Sequence, residues 1–81
     1  MNRDELEQLV QQGDEIEFMY NGKRFSIIYL EIDGEDWISF CEFYKETTEV
    51  KTVDELLKVK RYGITVEEML ASCTEEDIWL F

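Results

Sequence analysis

The sequence predicts one α+β domain, residues 1–81, with a small antiparallel sheet and helices packed on one face of it. Apolar residues follow helical spacing near the N-terminus, alternate with polar residues over 15–44, and return to helical spacing after residue 52. Two dipeptides, Asn21-Gly22 and Asp33-Gly34, divide the alternating region as hairpin turns would. The expected order is α-β-β-β-α-α-β: a three-strand meander, a short C-terminal strand and three short helices.

The first helix is expected over residues 2–12. Asn2 is a suitable N-cap because its side chain can accept a hydrogen bond from a free backbone amide. Gly13 can end the helix in the left-handed conformation. The apolar positions that follow helical spacing are Leu6, Leu9 and Val10.

A tight hairpin predicts the first two strands. Asn21 and Gly22 both tolerate the positive φ of a type I′ turn. A two-residue turn pairs Phe18 with Phe25 and Ile16 with Ile27, so the apolar residues of both strands share one face. The register and the hydrophobic pattern therefore agree. The strands are expected over residues 15–20 and 23–32.

The third strand is expected over residues 37–44, after the turn at Asp33-Gly34. A two-residue or a four-residue loop places Ile38 and Phe40 on the core face. A three-residue loop would place Trp37, Ser39, Cys41 and Phe43 there instead. We expect the two-residue turn, because Asp-Gly favours it. The predicted core face then holds Ile16, Phe18, Phe25, Ile27, Tyr29, Ile38 and Phe40.

Two capping boxes predict the remaining helices. Thr52 with Glu55, and Thr65 with Glu68, place a hydroxyl and a carboxylate three residues apart, where each can satisfy a free backbone amide. The first of these helices is expected to continue to Arg61-Tyr62-Gly63, and the second to end near residues 72–73. The apolar residues 78–81 are expected to form a strand docked on the sheet edge, because an exposed apolar tetrapeptide would be costly.

The charge of the chain argues against several partners. It carries 20 Asp plus Glu, 8 Lys plus Arg and no His, for a formal net charge of -12. Nucleic acids and anionic membranes both attract clustered Lys and Arg, so we expect neither as a direct partner. The sequence has no membrane-spanning apolar run, and residues 1–10 are acidic and amphipathic, without the apolar stretch typical of a signal peptide. We expect a cytoplasmic protein with Cys41 and Cys73 reduced, although a disulfide between them is an open alternative.

The residues that usually perform catalysis or bind metals are missing. Without His, the commonest general base and a common zinc ligand are absent. No glycine motif for phosphates or dinucleotides occurs. The segment Asp33-Gly34-Glu35-Asp36 offers oxygen ligands but not the spacing of an EF-hand, so a solvated turn is preferred over a weak calcium site. We expect no cofactor, no metal and no enzymatic activity.

The sheet face opposite the core is the best candidate for function. A sheet covered on one side normally has polar residues on its other side. This face instead has an apolar centre with a charged rim. Either the first helix or the C-terminal strand covers it, or it binds a protein partner, with self-association as one form of that contact. The predicted partner patch is Met19, Ile28, Leu30, Trp37 and Phe43.

The carboxylates suggest an alternative binding function. An acidic domain can mimic nucleic acid and occupy the basic groove of a DNA-binding or RNA-binding protein. At least six of the acids, however, lie at predicted helix starts, where the helix dipole accounts for them. Contact through the apolar face is therefore our main expectation, mimicry the first alternative and an enzyme the second.

Three segments resemble a group of known proteins. They are residues 14–27 (DEIEFMYNGKRFSI), 40–44 (FCEFY) and 53–57 (VDELL). In this order they are similar to short uncharacterised acidic proteins of Gram-positive gut bacteria and their mobile elements. The resemblance covers most of the chain and implies a bacterial setting. Its motifs are a hairpin turn, a capping box and core residues, so it implies no functional residues.

Overall fold

A computed structural model describes all 81 residues and has the predicted α+β architecture. The helices are α1 (Arg3–Gln12), α2 (Val53–Leu57) and α3 (Val66–Ser72), followed by a 3₁₀ turn (Glu75–Asp77). The strands are β1 (Ile16–Tyr20), β2 (Lys23–Ile32), β3 (Glu35–Glu42), β4 (Thr47–Val50), β5 (Lys60–Arg61), β6 (Ile64–Thr65) and β7 (Ile78–Leu80). Five strands form an antiparallel sheet in the order β4-β3-β2-β1-β7, and β5 and β6 form a separate pair.

The predicted meander has the predicted register. Ile16 lies opposite Ile27 and Phe18 opposite Phe25. At the second turn Asp33 and Gly34 have φ angles of 52° and 79°, the two left-handed residues of a type I′ turn. A two-residue turn is thereby confirmed at this position, and the three-residue alternative is wrong.

The C-terminal strand pairs with the sheet edge, as predicted. In β7 Ile78 lies opposite Phe18 and Leu80 opposite Ile16. Glu15 and Phe81 extend this ladder by exchanging backbone hydrogen bonds of 3.2 and 2.9 Å. The strand therefore widens the sheet and does not lie across either face.

Three short strands were not expected. The predicted continuation of α2 to Gly63 is wrong, because the helix ends at Leu57 and the chain enters the β5–β6 hairpin. Tyr62 and Gly63 form its turn with φ angles of 56° and 77°. The additional strand β4, Thr47–Val50, pairs with β3 and contains three β-branched residues, which suit a strand.

The helices begin as their sequences predict. The hydroxyls of Thr52 and Thr65 each accept a hydrogen bond of 3.1 Å from the backbone amide three residues on, and the matching Glu carboxylate accepts one from the capping residue. Asn2 caps α1 in the same way, and Gly13 ends α1 with a φ of 81°. No helix is long and apolar enough to cross a membrane.

One hydrophobic core lies between the three helices and one face of the sheet. Its centre is a stack of three rings, with Phe25 5.2 Å from Phe18 and 5.6 Å from Phe40 between centroids. Leu6 and Val10 of α1 belong to the same cluster, so α1 packs on this side. The predicted core residues are buried except Tyr29, which is partly exposed and contacts the cluster from its edge.

Candidate functional site

The five-stranded sheet has a second face on which no helix packs, and we call it the open face. All the buried residues of the helices cluster with strand residues of the opposite face. The apolar residues of the open face neither belong to that cluster nor pack against it. The two intramolecular covers considered above, the first helix and the C-terminal strand, are therefore both wrong. By register, the apolar side chains of the open face are Met19, Ile28, Leu30, Ile32, Trp37, Phe43, Trp79 and Phe81.

The structure places the five predicted patch residues on the open face in two groups. Ile28, Leu30 and Trp37 lie together, with Leu30 directly opposite Trp37 across the β2–β3 pair. Met19 and Phe43 lie toward the other end of the face, on either side of Arg24. All five are partly exposed and none is fully buried. This exposure is what a contact surface requires, and contact with a partner stays a prediction.

Three further apolar residues of the open face were missed by sequence reasoning. Trp79 is 39% exposed, Phe81 63% and Ile32 43%. Arg24 links two of the aromatic residues, because its guanidinium carbon lies 5.1 Å from the Phe43 ring centroid and 5.2 Å from that of Trp79. In β7 the side chain of Trp79 points to the opposite face from those of Ile78 and Leu80. Which of the two faces Trp79 occupies becomes known only once β7 is paired with β1.

The two cations of the open face are both neutralised within the chain. Arg24 donates a hydrogen bond of 2.9 Å from Nε to the carboxylate of Glu17. Lys51 lies 4.1 Å above the centroid of the Trp37 ring and 3.3 Å from the carboxylate of Glu35. The face therefore has no unpaired cation and is nearly neutral. By register, its two remaining carboxylates lie in the row of Ile28: Glu15 stands between Ile28 and Phe81, and Glu49 lies beyond Ser39 on β4.

Small residues occupy the centre of the open face between these groups. Ser26 and Ser39 are only 5% and 7% exposed, because larger neighbours overhang them. The Ser26 hydroxyl lies 3.2 Å from the Cys41 thiol. Cys73 contacts the core on the other side of the sheet, where its thiol donates to the carbonyl of Met19 at 3.3 Å. Both cysteines are free thiols, and burial raises the pKa of Cys73.

The acidic turn considered as a calcium site is engaged in side-chain contacts. Asp36 accepts a hydrogen bond of 2.5 Å from the Tyr29 hydroxyl, and this bond raises the pKa of Tyr29. Glu35, as described, pairs with Lys51. No group of three or more His, Cys, Asp or Glu side chains is placed to hold a metal ion. The carboxylates of Glu35 and Asp36 are thus engaged by an ion pair on the open face and by a hydrogen bond on the core side.

A groove of about 410 Å³ lies where α1 and the start of α2 approach the end of the β2–β3 hairpin. Arg3 pairs there with Asp54 at 2.6 Å and with Glu7 at 2.8 Å. Hydrogen bonding to Arg3 lowers the pKa of Asp54. Both cations that line this groove, Arg3 and Lys51, are paired with carboxylates, so it offers no unpaired cation to an anionic ligand.

The helical elements are rich in acidic residues for their length. The three helices and the 3₁₀ turn carry ten of the twenty Asp and Glu residues. The segment 66–77 alone has five acids and no Lys or Arg. The molecule thus has an acidic helical side and a nearly neutral, apolar sheet side. No family model, curated protein or solved structure matches this chain.

Proposed function

We propose that this protein is a non-enzymatic interaction module that binds a protein partner through the open face. One observation carries the proposal: eight apolar or aromatic side chains lie on a sheet face on which no helix packs. Exposed apolar side chains rimmed by polar residues often mark a protein contact site. Aromatic residues, Met and Arg are enriched in protein interfaces, and all three kinds are present on this face.

The side chains of the open face are suited to strong contacts. Trp and Arg are enriched among the residues that dominate binding energy. Arg24 is already held between Phe43 and Trp79 and ion-paired with Glu17, so little conformational entropy remains to be lost on binding. Lys51 is held over Trp37 in a similar way. A partner would therefore meet cations that already lie against aromatic rings.

Catalysis is a weaker interpretation of the same surface. A nucleophilic cysteine needs an adjacent base, and the neighbour of Cys41 is the Ser26 hydroxyl. The chain contains no His that could serve this role. Binding without chemistry therefore accounts for the side chains that are present.

The proposal is tested with one charge placed on each side of the molecule. Leu30→Glu puts a carboxylate into the apolar group of Ile28, Leu30 and Trp37 on the open face, and Gln8→Glu puts the same charge on exposed α1. Wild type and both variants serve as baits for proteins of the source organism, and binding is then measured with the purified partner. We expect Gln8→Glu to bind as wild type does, and Leu30→Glu to bind at least tenfold more weakly, because an unpaired charge desolvated inside an interface is costly. Equal binding by both variants would exclude the open face.

Nucleic-acid mimicry is the second candidate, and the acidic segment 66–77 favours it. Its partner would be a basic nucleic-acid-binding protein, and its contact surface would be the helical side. Such binding would weaken steeply as salt is added and would respond to Glu67→Gln rather than to Leu30→Glu. Binding through the open face would show the opposite pattern in both measurements.

A further inference from the structure

We propose that the occupant of the open face is a second copy of this chain, so that two sheets pack face to face in a symmetric dimer. This inference rests on the proposed function and names its partner. Face-to-face packing of two sheets about 10 Å apart is a common solution for burying apolar sheet faces. Each copy would then cover the apolar side chains that its own helices leave exposed.

The distribution of charge favours a second copy at this face. The chain has a net charge of -12, so most contacts between two copies would be repulsive. The open face carries much less net charge, because Arg24 and Lys51 are each paired with a carboxylate of the same face and only Glu15 and Glu49 remain. In a face-to-face dimer the two acidic helical sides point away from each other. Two sheets and their helices would separate these sides by roughly 30 Å, well beyond the screening length of about 8 Å at physiological salt.

The area of the open face is sufficient for a specific but weak dimer. Strands about 4.8 Å apart that rise about 3.3 Å per residue give five paired strands a footprint of roughly 450 Å². Two such faces would bury roughly 1,000 Å² in total once side-chain relief is included, which is near the lower limit for specific interfaces. The complex is therefore expected to dissociate on dilution into the low micromolar range.

Sedimentation velocity of the purified chain tests the inference. An interface of this size should form between protein concentrations of about 1 µM and about 1 mM. Over this range the average mass of the sedimenting species should rise from 9.7 kDa toward twice that value. Leu30→Glu should weaken the dimer at least thirtyfold, because the symmetry introduces the charge twice. Gln8→Glu should change the dissociation constant less than threefold. Raising NaCl from about 0.05 M to about 0.5 M should tighten the wild-type dimer, since the net charges repel.

Trp37→Ser is an uncharged second variant, expected to weaken the dimer at least tenfold. Circular dichroism and thermal unfolding verify that each variant is folded. A wild-type chain that stays monomeric at all concentrations would overturn the inference. So would a dimer whose dissociation constant is unchanged by both open-face variants, or a dimer that is weakened by added salt. If the chain is monomeric but a purified partner still discriminates Leu30→Glu from Gln8→Glu, the second copy is rejected and the proposed function stands. If neither contact depends on Leu30, both are rejected.

Discussion

The contacts of Arg24 and Tyr29 show that charged groups near the open face already have partners within the chain. The groups are the Arg24 guanidinium and the Asp36 carboxylate. Arg24 is ion-paired with Glu17 and stacked on two aromatic rings, so it contributes apolar contact area as well as charge. Tyr29, on the core side of β2, donates its hydroxyl hydrogen to Asp36 in the neighbouring turn. A partner approaching this region would therefore not have to neutralise an isolated cation.

The Tyr29–Asp36 hydrogen bond predicts a pH dependence at high pH. The pKa of Tyr29 is raised above its ordinary value of 10.0, first because its hydroxyl donates to the Asp36 carboxylate and then because of partial burial. A raised pKa means that the hydrogen bond stabilises the fold below pH 10 and that this stabilisation is lost as pH rises through the folded-state pKa. Unfolding by urea at a series of pH values should show the loss in wild type. A Tyr29→Phe variant with the same alkaline loss would contradict the assignment.

At the scale of elements, successive side chains of β2 point alternately to the core face and to the open face. Ile27 is fully buried under the helices, and its neighbour Ile28 points to the open face. The two residues have the same side chain, in the same strand, with opposite surroundings. They form a matched pair for testing whether only one face of the sheet is covered.

We expect Ile27→Ala to lower the free energy of unfolding by about 3 kcal/mol, because it leaves a cavity in the core. Ile28→Ala should lower it by less than about 1 kcal/mol in the monomer, since the lost methyl groups were partly in contact with water. Urea unfolding at a concentration where the chain is monomeric measures both changes. Similar losses for the two variants would mean that the open face is buried in solution.

The start of α3 gives a second prediction at this scale. Thr65→Ala removes the hydroxyl that accepts the backbone amide of Glu68, and the expected cost is about 1 kcal/mol. Ser72→Ala in the same helix is the control, because its hydroxyl only donates back to the Glu68 carbonyl and Ala is a better helix former. Thermal unfolding should show a clear loss for Thr65→Ala and almost none for Ser72→Ala. Equal effects would indicate that the cap does not stabilise α3.

Local chemistry explains which elements could be predicted from sequence. The Asn21-Gly22 turn and the Thr65 capping box act within four residues, so their conformations follow from the residues themselves. Strands β4, β5 and β6 have only two to four residues and no readable period, so they depend on pairing partners made available by the rest of the fold. For the same reason Trp79 could not be assigned to the open face before the pairing of β7 with β1 was known.

At the scale of the whole molecule, the sides of the sheet have different physical characters. The helical side is acidic and covers the entire core, whereas the sheet side is apolar and nearly neutral. From the net charge alone, one would expect copies of the protein to repel one another and basic partners to be attracted. The segregation of charge changes this expectation, because it leaves one face on which two copies can meet without strong repulsion. The core and the proposed contact surface are thus opposite faces of one sheet.

The two tryptophans provide the most direct test, because Trp37 and Trp79 are the only ones in the chain and both lie on the open face. Acrylamide quenching of their fluorescence therefore reports on this face alone. We predict efficient quenching in dilute solution, at about 1 µM, and at least twofold weaker quenching at high concentration or with a saturating partner, since association would cover both rings. Rings already protected at the lowest concentration, or quenched equally with and without association, would contradict the proposal that the open face is the interaction surface.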